Sequence, residues 1–184
     1  MIGTTPDRSP WLADCLRSLE GCRWPVHWFY TYRYELATIT WAARRFDEFV
    51  FMPHSTEVLD QRVFDLCFEE HRGKSVNLGT AQGLPFRMYL GKYLGDVVQA
   101  MGTPDVRTKA EAVHHEVYWC GFYGFHEHQC HRLAHVGGPM EHTNNFVRRH
   151  GRINMLCENE YLRRYKATWD PAMVRDRQPW TKAV

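Results

Sequence analysis

No apolar run in this 184-residue sequence approaches the roughly 18 residues of a membrane span, so none is expected. The opening MIGTTPDRSP has neither a basic stretch nor an apolar core, so no signal peptide is expected. No two of the six cysteines (Cys15, Cys22, Cys67, Cys120, Cys130 and Cys157) form a CxxC pair. A domain of this size folds on its core without bridges, so reduced thiols are expected. Net charge is small: 23 Lys and Arg against 21 Asp and Glu leave +2, with 11 His able to add more below neutral pH. That balance argues against holding nucleic acid mainly by phosphate neutralisation, although acting on nucleic acid stays open. Internal repeats, low-complexity stretches and linkers are missing too. With 44% hydrophobic and 24% charged residues the composition is globular, and a single soluble, cytoplasmic domain over residues 1–184 is expected.

The first third is the most regular. Met1-Ile2-Gly3-Thr4 reads as a short buried strand. Ser9-Pro10 then supplies an N-cap and a first-turn proline. Trp11, Leu12, Cys15, Leu16 and Leu19 recur at helical spacing until Gly21. Val26 to Tyr30 reads as a second strand, and Leu36, Ile39, Ala43 and Phe46 as the stripe of a second helix. Phe49-Val50-Phe51-Met52 is an apolar run typical of a strand covered on both faces, stopped by Pro53. Short strands alternating with helices predict an α/β fold, Rossmann-like, with a mainly parallel sheet flanked by helices. Further on, a helix near 59–71, a strand at 74–78, a strand at 86–90 and helices near 93–101 and 108–120 are expected. Residues 121–150 show only a weak pattern. The chain divides into a βαβαβ nucleotide-binding half (1–58), an acceptor-side half (59–158) and a polar C-terminal tail (159–184).

Ligands of such sheets sit beyond the carboxyl ends of the strands. The first of these ends, TTPDRSP, lacks the glycines of dinucleotide and P-loop folds. Its Thr4, Thr5, Asp7 and Arg8 nevertheless suit a nucleotide or phosphate beside a helix N-terminus. Asp7 and Ser9 read equally well as helix caps, with Arg8 solvated. The second end brings Tyr32 and Arg33. The third, PHSTEVLD, gathers His54, Ser55, Glu57 and Asp60, where His54 and Glu57 could hold a divalent cation. Capping of the next helix is the competing reading there. On the later helix Glu116 stands beside apolar neighbours, as a general base would, or pairs with Lys109 on the surface. The histidine-rich segment (His114, His115, His126, His128, Cys130, His131, His135, His142 and His150) contains no HExxH, and His126-x-His128-x-Cys130 fits no standard zinc spacing, although His131 and His135, four apart, could share a metal on a helix.

Arg8-Ser9-Pro10-Trp11-Leu12 with Leu16, Ser18 and Leu19, followed by the strand at 49–52, resembles the opening of glycosyltransferases of the A-type (GT-A) fold. The chain is especially similar to small bacteriophage glycosyltransferase-like proteins, in which segments like Met88 to Tyr93 and Thr108 to Val113 follow the sheet. The resemblance covers about residues 1–120. It implies a minimal GT-A-type nucleotide-sugar transferase domain acting in the cytoplasm, that of the host if the chain comes from a phage. A nucleotide-diphosphate sugar would be the donor, and the acceptor a protein, a modified nucleic-acid base or a glycan. Thr4, Thr5, Asp7, Arg8, Tyr32 and Arg33 would hold the nucleotide, Mn²⁺ or Mg²⁺ would sit at His54 and Glu57, and Glu116 would be the catalytic base. The family's Asp-x-Asp is absent, and Pro53-His54-Ser55 stands in its place. That departure supports an alternative, a catalytically degenerate module that binds nucleotide, sugar or protein; a second alternative, built on the histidine-rich segment, is a small His-rich metal-binding protein.

Overall fold

The computed structural model describes residues 1–4, 9–31, 34–79, 87–90, 96, 111, 114–115, 133–138 and 141–167. In chain order these give β1 (Ile2–Thr4), α1 (Ser9–Arg17), β2 (Trp28–Tyr30), α2 (Tyr34–Ala43), β3 (Glu48–Pro53) and β4 (Thr56–Val58). Next come α3 (Arg62–Asp65), which continues as a π-helical turn over Leu66–Glu70, then β5 (Ser75–Asn77) and β6 (Arg87–Leu90). The last strands are β7 (Leu133–His135), β8 (Glu141–Arg149), β9 (Arg152–Glu158) and β10 (Leu162–Ala167).

Six strands form one sheet in the order β2-β1-β3-β6-β5-β7. β1 pairs in parallel with β2 on one side and β3 on the other, and β5 pairs in parallel with β7. β6 lies antiparallel to both β3 and β5, so β3 and β5 point the same way and β6 alone is reversed. Alternation along β3 sends Phe49 and Phe51 to one face and Val50 and Met52 to the other. All four are buried. Val50 and Met52 join Ile2, Leu12, Cys15, Leu19, Val63 and Phe64 in the main core, under α1 and α3. α2 packs on β1 and β3, and its buried Thr38, Ile39 and Ala42 cover the Phe49 and Phe51 face.

The second sheet, in the order β4-β10-β9-β8, is wholly antiparallel. Its β8–β9 turn is His150-Gly151, with φ of 49° and 71°, a pair of positive values that suits a tight hairpin. Asn159 holds the β9–β10 turn and ties it to the first sheet. Its Oδ1 accepts from the Tyr161 and Leu162 N–H groups at 3.0 and 2.9 Å. Its Nδ2 donates to the carbonyls of Leu78 and Gly138 at 3.3 and 3.0 Å, just beyond β5 and β7.

The α/β class agrees with the sequence expectation. A mainly parallel sheet does not: five strand pairings are antiparallel and three parallel. The reason is that β6 enters between β3 and β5, and a separate antiparallel sheet is built from β4 and residues 141–167. That sheet includes Leu162–Ala167, inside the segment read as tail; Leu162 and Tyr165 are buried. The helix expected from residue 59 starts at Arg62, because β4 takes 56–58 and the Leu59 and Asp60 N–H groups donate to the Tyr161 carbonyl. Asp60 Oδ1 then accepts the Arg62 N–H at 2.9 Å and opens the helix. Cys15, Cys22, Cys67 and Cys157 are free thiols. No described helix is long and apolar enough to cross a membrane.

Phe51 is fully buried between α2 and the sheet. Phe51→Ala is expected to cost about 3–5 kcal/mol in denaturant unfolding. Gly137, at φ 83°, faces Asn159 so closely that an added Cβ would lie 2.9 Å from Nδ2. Gly137→Ala should therefore lower stability by at least about 1–2 kcal/mol in the same measurement.

Candidate functional site

β1 sits between its successors. The chain leaves β1 for β2 on one side and returns past it to β3 on the other, so the strand order reverses between β1 and β3. The connecting helices then lie on opposite faces, and in open α/β sheets such a reversal marks a crevice outside the carboxyl ends. Register brings the ends together: Thr4 stands beside Tyr30, and Gly3 beside Pro53. β5 and β7 finish on the same edge, with Asn77 beside His135, and the reversed β6 starts there with Arg87 beside Asn77. Asn159 bonds the β9–β10 turn to this edge at the Leu78 and Gly138 carbonyls.

Of the residues expected to bind nucleotide, Thr4 closes β1 at the crevice. Thr5, Asp7, Arg8, Tyr32, Arg33 and the proposed base Glu116 lie outside the described residues. His54 is half-buried in the turn that joins β3 to β4. Glu57 lies in β4, not in the first turn of a helix. Its Oε1 accepts from Arg149 Nη2 at 2.5 Å, and its Oε2 accepts from the Tyr165 hydroxyl at 2.8 Å. Arg163 stands 3.9 Å from the same oxygen.

Glu57 thus belongs to a half-buried ionic cluster between α1 and the second sheet. Arg149 also donates through Nε to Asp14 Oδ2 at 3.1 Å, and its guanidinium lies 4.4 Å over the Tyr165 ring. His150 meets the same Asp14 oxygen and packs its ring edge-on against Trp11 at 4.8 Å. Burial pushes the Glu57 carboxyl up, but the bonds from Arg149 and Tyr165 and the nearby guanidinium charges outweigh it, so Glu57 titrates below its ordinary value. Asp14 behaves alike: burial raises it, while His150 and Arg149 hold it down. For Tyr165 burial and the neighbouring Glu57 act together and raise the phenol.

Among the described residues no three His, Cys, Asp or Glu side chains are arranged to hold a metal ion. Of the histidine-rich segment, His114 and His115 pack edge to face on a helix, His135 is in β7, His142 is in β8 opposite Cys157, and His150 is with Asp14. Sequence reasoning missed Arg149, Tyr165, Asp14 and Asn159. The hydrogen bonds that join them across the cluster span 92 to 136 positions, and the Asn159 bond to Leu78 spans 81, so no local pattern marks these long-range bonds.

Because both carboxyls are depressed in the fold, their contribution is complete above the ordinary carboxylate range near pH 4. It disappears as pH falls through the lower folded values. Glu57→Gln should cost about 1–3 kcal/mol at pH 7, the range for charge-assisted bonds. Unfolding curves of parent and variant should converge as the pH approaches 2; a gap that stays constant with pH would contradict the pairing. Comparison with protein-family models, with curated proteins and with solved structures finds no match to this chain.

Proposed function

We propose that this chain is a glycosyltransferase that takes sugar from a nucleotide-diphosphate donor, on a minimal GT-A-type domain acting in the cytoplasm. The observation that carries this reading is the reversal of strand order between β1 and β3, with polar residues following each end. Resemblance over about residues 1–120 to small bacteriophage glycosyltransferase-like proteins supports the same chemistry. On this reading the nucleoside and diphosphate lie along Thr4, Thr5, Asp7 and Arg8, with Tyr32 and Arg33 from the neighbouring strand end. Glu116 takes the proton from the acceptor hydroxyl as it attacks the anomeric carbon, and the diphosphate leaves.

Charge on the departing diphosphate must be met by a cation. Glu57 is already bonded to Arg149 and Tyr165, so a divalent ion there would compete with a formed ion pair. The arrangement therefore favours neutralisation by Arg8 and Arg33 over Mn²⁺ or Mg²⁺ at His54 and Glu57. The same observation, with Pro53-His54-Ser55 in place of Asp-x-Asp, favours a second reading: a degenerate module that binds nucleotide or sugar without transfer.

A thermal-shift screen of nucleotides and nucleotide sugars, with and without Mn²⁺, tests the reading. A donor at 100 times its dissociation constant should stabilise the fold by about 2.7 kcal/mol. Arg8→Ala should weaken that effect without changing the melting of the free protein. Glu116→Gln should lower turnover by about 10²–10⁴-fold while donor affinity holds. Binding without transfer to any protein, nucleic-acid or glycan acceptor would move the assignment to the binding module. Absence of stabilisation by every nucleotide would overturn both.

A further inference from the structure

At the opposite edge of the first sheet, where β1, β2 and β3 begin, lies a cavity of about 490 Å³. Buried Ile2, Val50 and Met52 line its inner side, and Trp24, Phe46, Phe64 and Phe68 surround it with aromatic rings. This volume falls within the range of about 300–1,000 Å³ found for small-molecule sites. The cavity opens at the amino ends of the strands and reaches along β3 as far as Met52, while the crevice lies past Thr4 and Pro53. The two are distinct places, and nothing in the proposed transfer reaction uses the cavity.

The rings around it are fixed by contacts of their own. Trp24 Nε1 donates to Asp65 Oδ1 at 2.8 Å, and the Trp24 and Phe68 rings meet at 4.6 Å. The Arg23 guanidinium stands 5.0 Å from the Trp24 ring and pairs with Asp65 and Glu69. Phe46 packs on His27 at 5.2 Å. Gly73 N–H donates to Glu48 Oε1 at 2.5 Å, which ties the turn after the π-helical segment to the start of β3. An apolar space already framed in this way needs little ordering when it is filled.

Two guanidiniums complete the lining. Arg45 donates to the Trp41 carbonyl at 3.2 Å and lies 4.2 Å over the Trp41 ring. Arg72 donates through Nε to the Phe68 carbonyl at 3.2 Å, which holds it on the aromatic wall. Neither forms an ion pair among the described residues, and each keeps several N–H groups for an acceptor. Asp47 and Glu48 lie on the same rim, but Glu48 is engaged by Gly73. We propose that the cavity binds an amphipathic anion, with an apolar chain or ring against Trp24, Phe64 and Phe68 and one carboxylate on Arg45 and Arg72.

Cys22, half-buried and part of the lining, reports occupancy. Cys15, Cys67 and Cys157 are buried, and burial pushes the Cys15 and Cys67 thiols up to about 12, so iodoacetamide reaches Cys22 ahead of them. Peptide mass spectrometry on the full chain separates Cys22 from Cys120 and Cys130. The free protein should alkylate readily at Cys22, and decanoate at ten times its dissociation constant should slow that reaction about tenfold. The Arg45→Gln, Arg72→Gln double variant should bind decanoate about tenfold more weakly, the loss of a charge-assisted contact, and bind decanol as the parent does. Decanol protecting the parent as well as decanoate does would remove the carboxylate from the site. Decylamine binding more tightly than decanoate would reverse the sign of the headgroup. Slow alkylation of Cys22 without any ligand would mean that the chain itself fills the space. Each of these three results overturns the proposal.

Discussion

Phe49 and Phe51 leave β3 on one side while Val50 and Met52 leave it on the other, and all four are buried. A strand buried on both faces needs a covering layer on each. With β1 in the middle of β2 and β3, the two crossovers deliver α2 to the phenylalanine face and α1 to the other, where α3 joins it after β4. The crevice between β1 and β3 is the geometric consequence, because helices that depart to opposite faces leave a gap above the strand ends. Removing Phe51 would thus loosen the element that separates the two layers, and with it the register that brings Thr4 beside Tyr30 and Gly3 beside Pro53.

β3 does not end at the sheet edge. His54 and Ser55 turn the chain into β4, which is the first strand of the second sheet. The crevice is therefore bounded by a structure held both by Val58 and Leu162 in the main core and by a polar attachment. Arg149 is the centre of that attachment, since one guanidinium meets Glu57 of β4, Asp14 of α1 and the ring of Tyr165 in β10. Half-buried charges of this kind cost desolvation, and the cost is offset only where every partner is present. The cluster is best read as a register device: it fixes which way the hairpin of β8 and β9 leans on α1. Asn159 does the same at the other end of the hairpin pair, with neutral bonds in place of ionic ones.

The first sheet was readable where periodicity was strong. Trp11, Leu19, Ile39, Phe49 and Phe51, picked from spacing alone, are buried, and Leu16 is partly so. The strands β1, β2, β3, β5 and β6 fall where apolar runs and turn residues put them. The second sheet was not readable, for local reasons. β8 reads Glu-His-Thr-Asn-Asn-Phe-Val-Arg-Arg and forms the sheet's edge, so it carries no apolar alternation. In β10 the two buried residues, Leu162 and Tyr165, are three apart and therefore lie on opposite faces, a spacing that imitates a helix. In β9 the buried positions Asn154 and Cys157 are likewise three apart, and Asn154 is there for its amide: Nδ2 donates to the carbonyl of Arg149 across the hairpin and to that of Arg152 in its own strand. As for the site, Thr4 and His54 were legible as strand-end residues. The engagement of Glu57 was not, because Arg149 and Tyr165 come from far along the chain.

Strand direction also accounts for the different chemistry at the two ends of the sheet. At the carboxyl ends the chain leaves β1 and enters α1 at its N-terminus, where unpaired N–H groups and the helix dipole favour negative charge. Small and polar residues occupy that edge: Thr4, Thr31, His54, Ser55, Asn77 and Gly79. At the amino ends the chain arrives from loops whose task is to bury the approach to each strand. Trp24 precedes β2, Phe46 precedes β3, and Phe64 and Phe68 come across from α3 and its π-helical continuation. A π-helical turn carries more residues per turn than an α-helix, and it offsets Phe68 from Phe64 along the wall. Phe68 therefore meets Trp24 instead of stacking over Phe64, and the space between the two phenylalanines and β3 stays open. Polar residues at one edge and apolar enclosure at the other follow from the same five strands pointing one way.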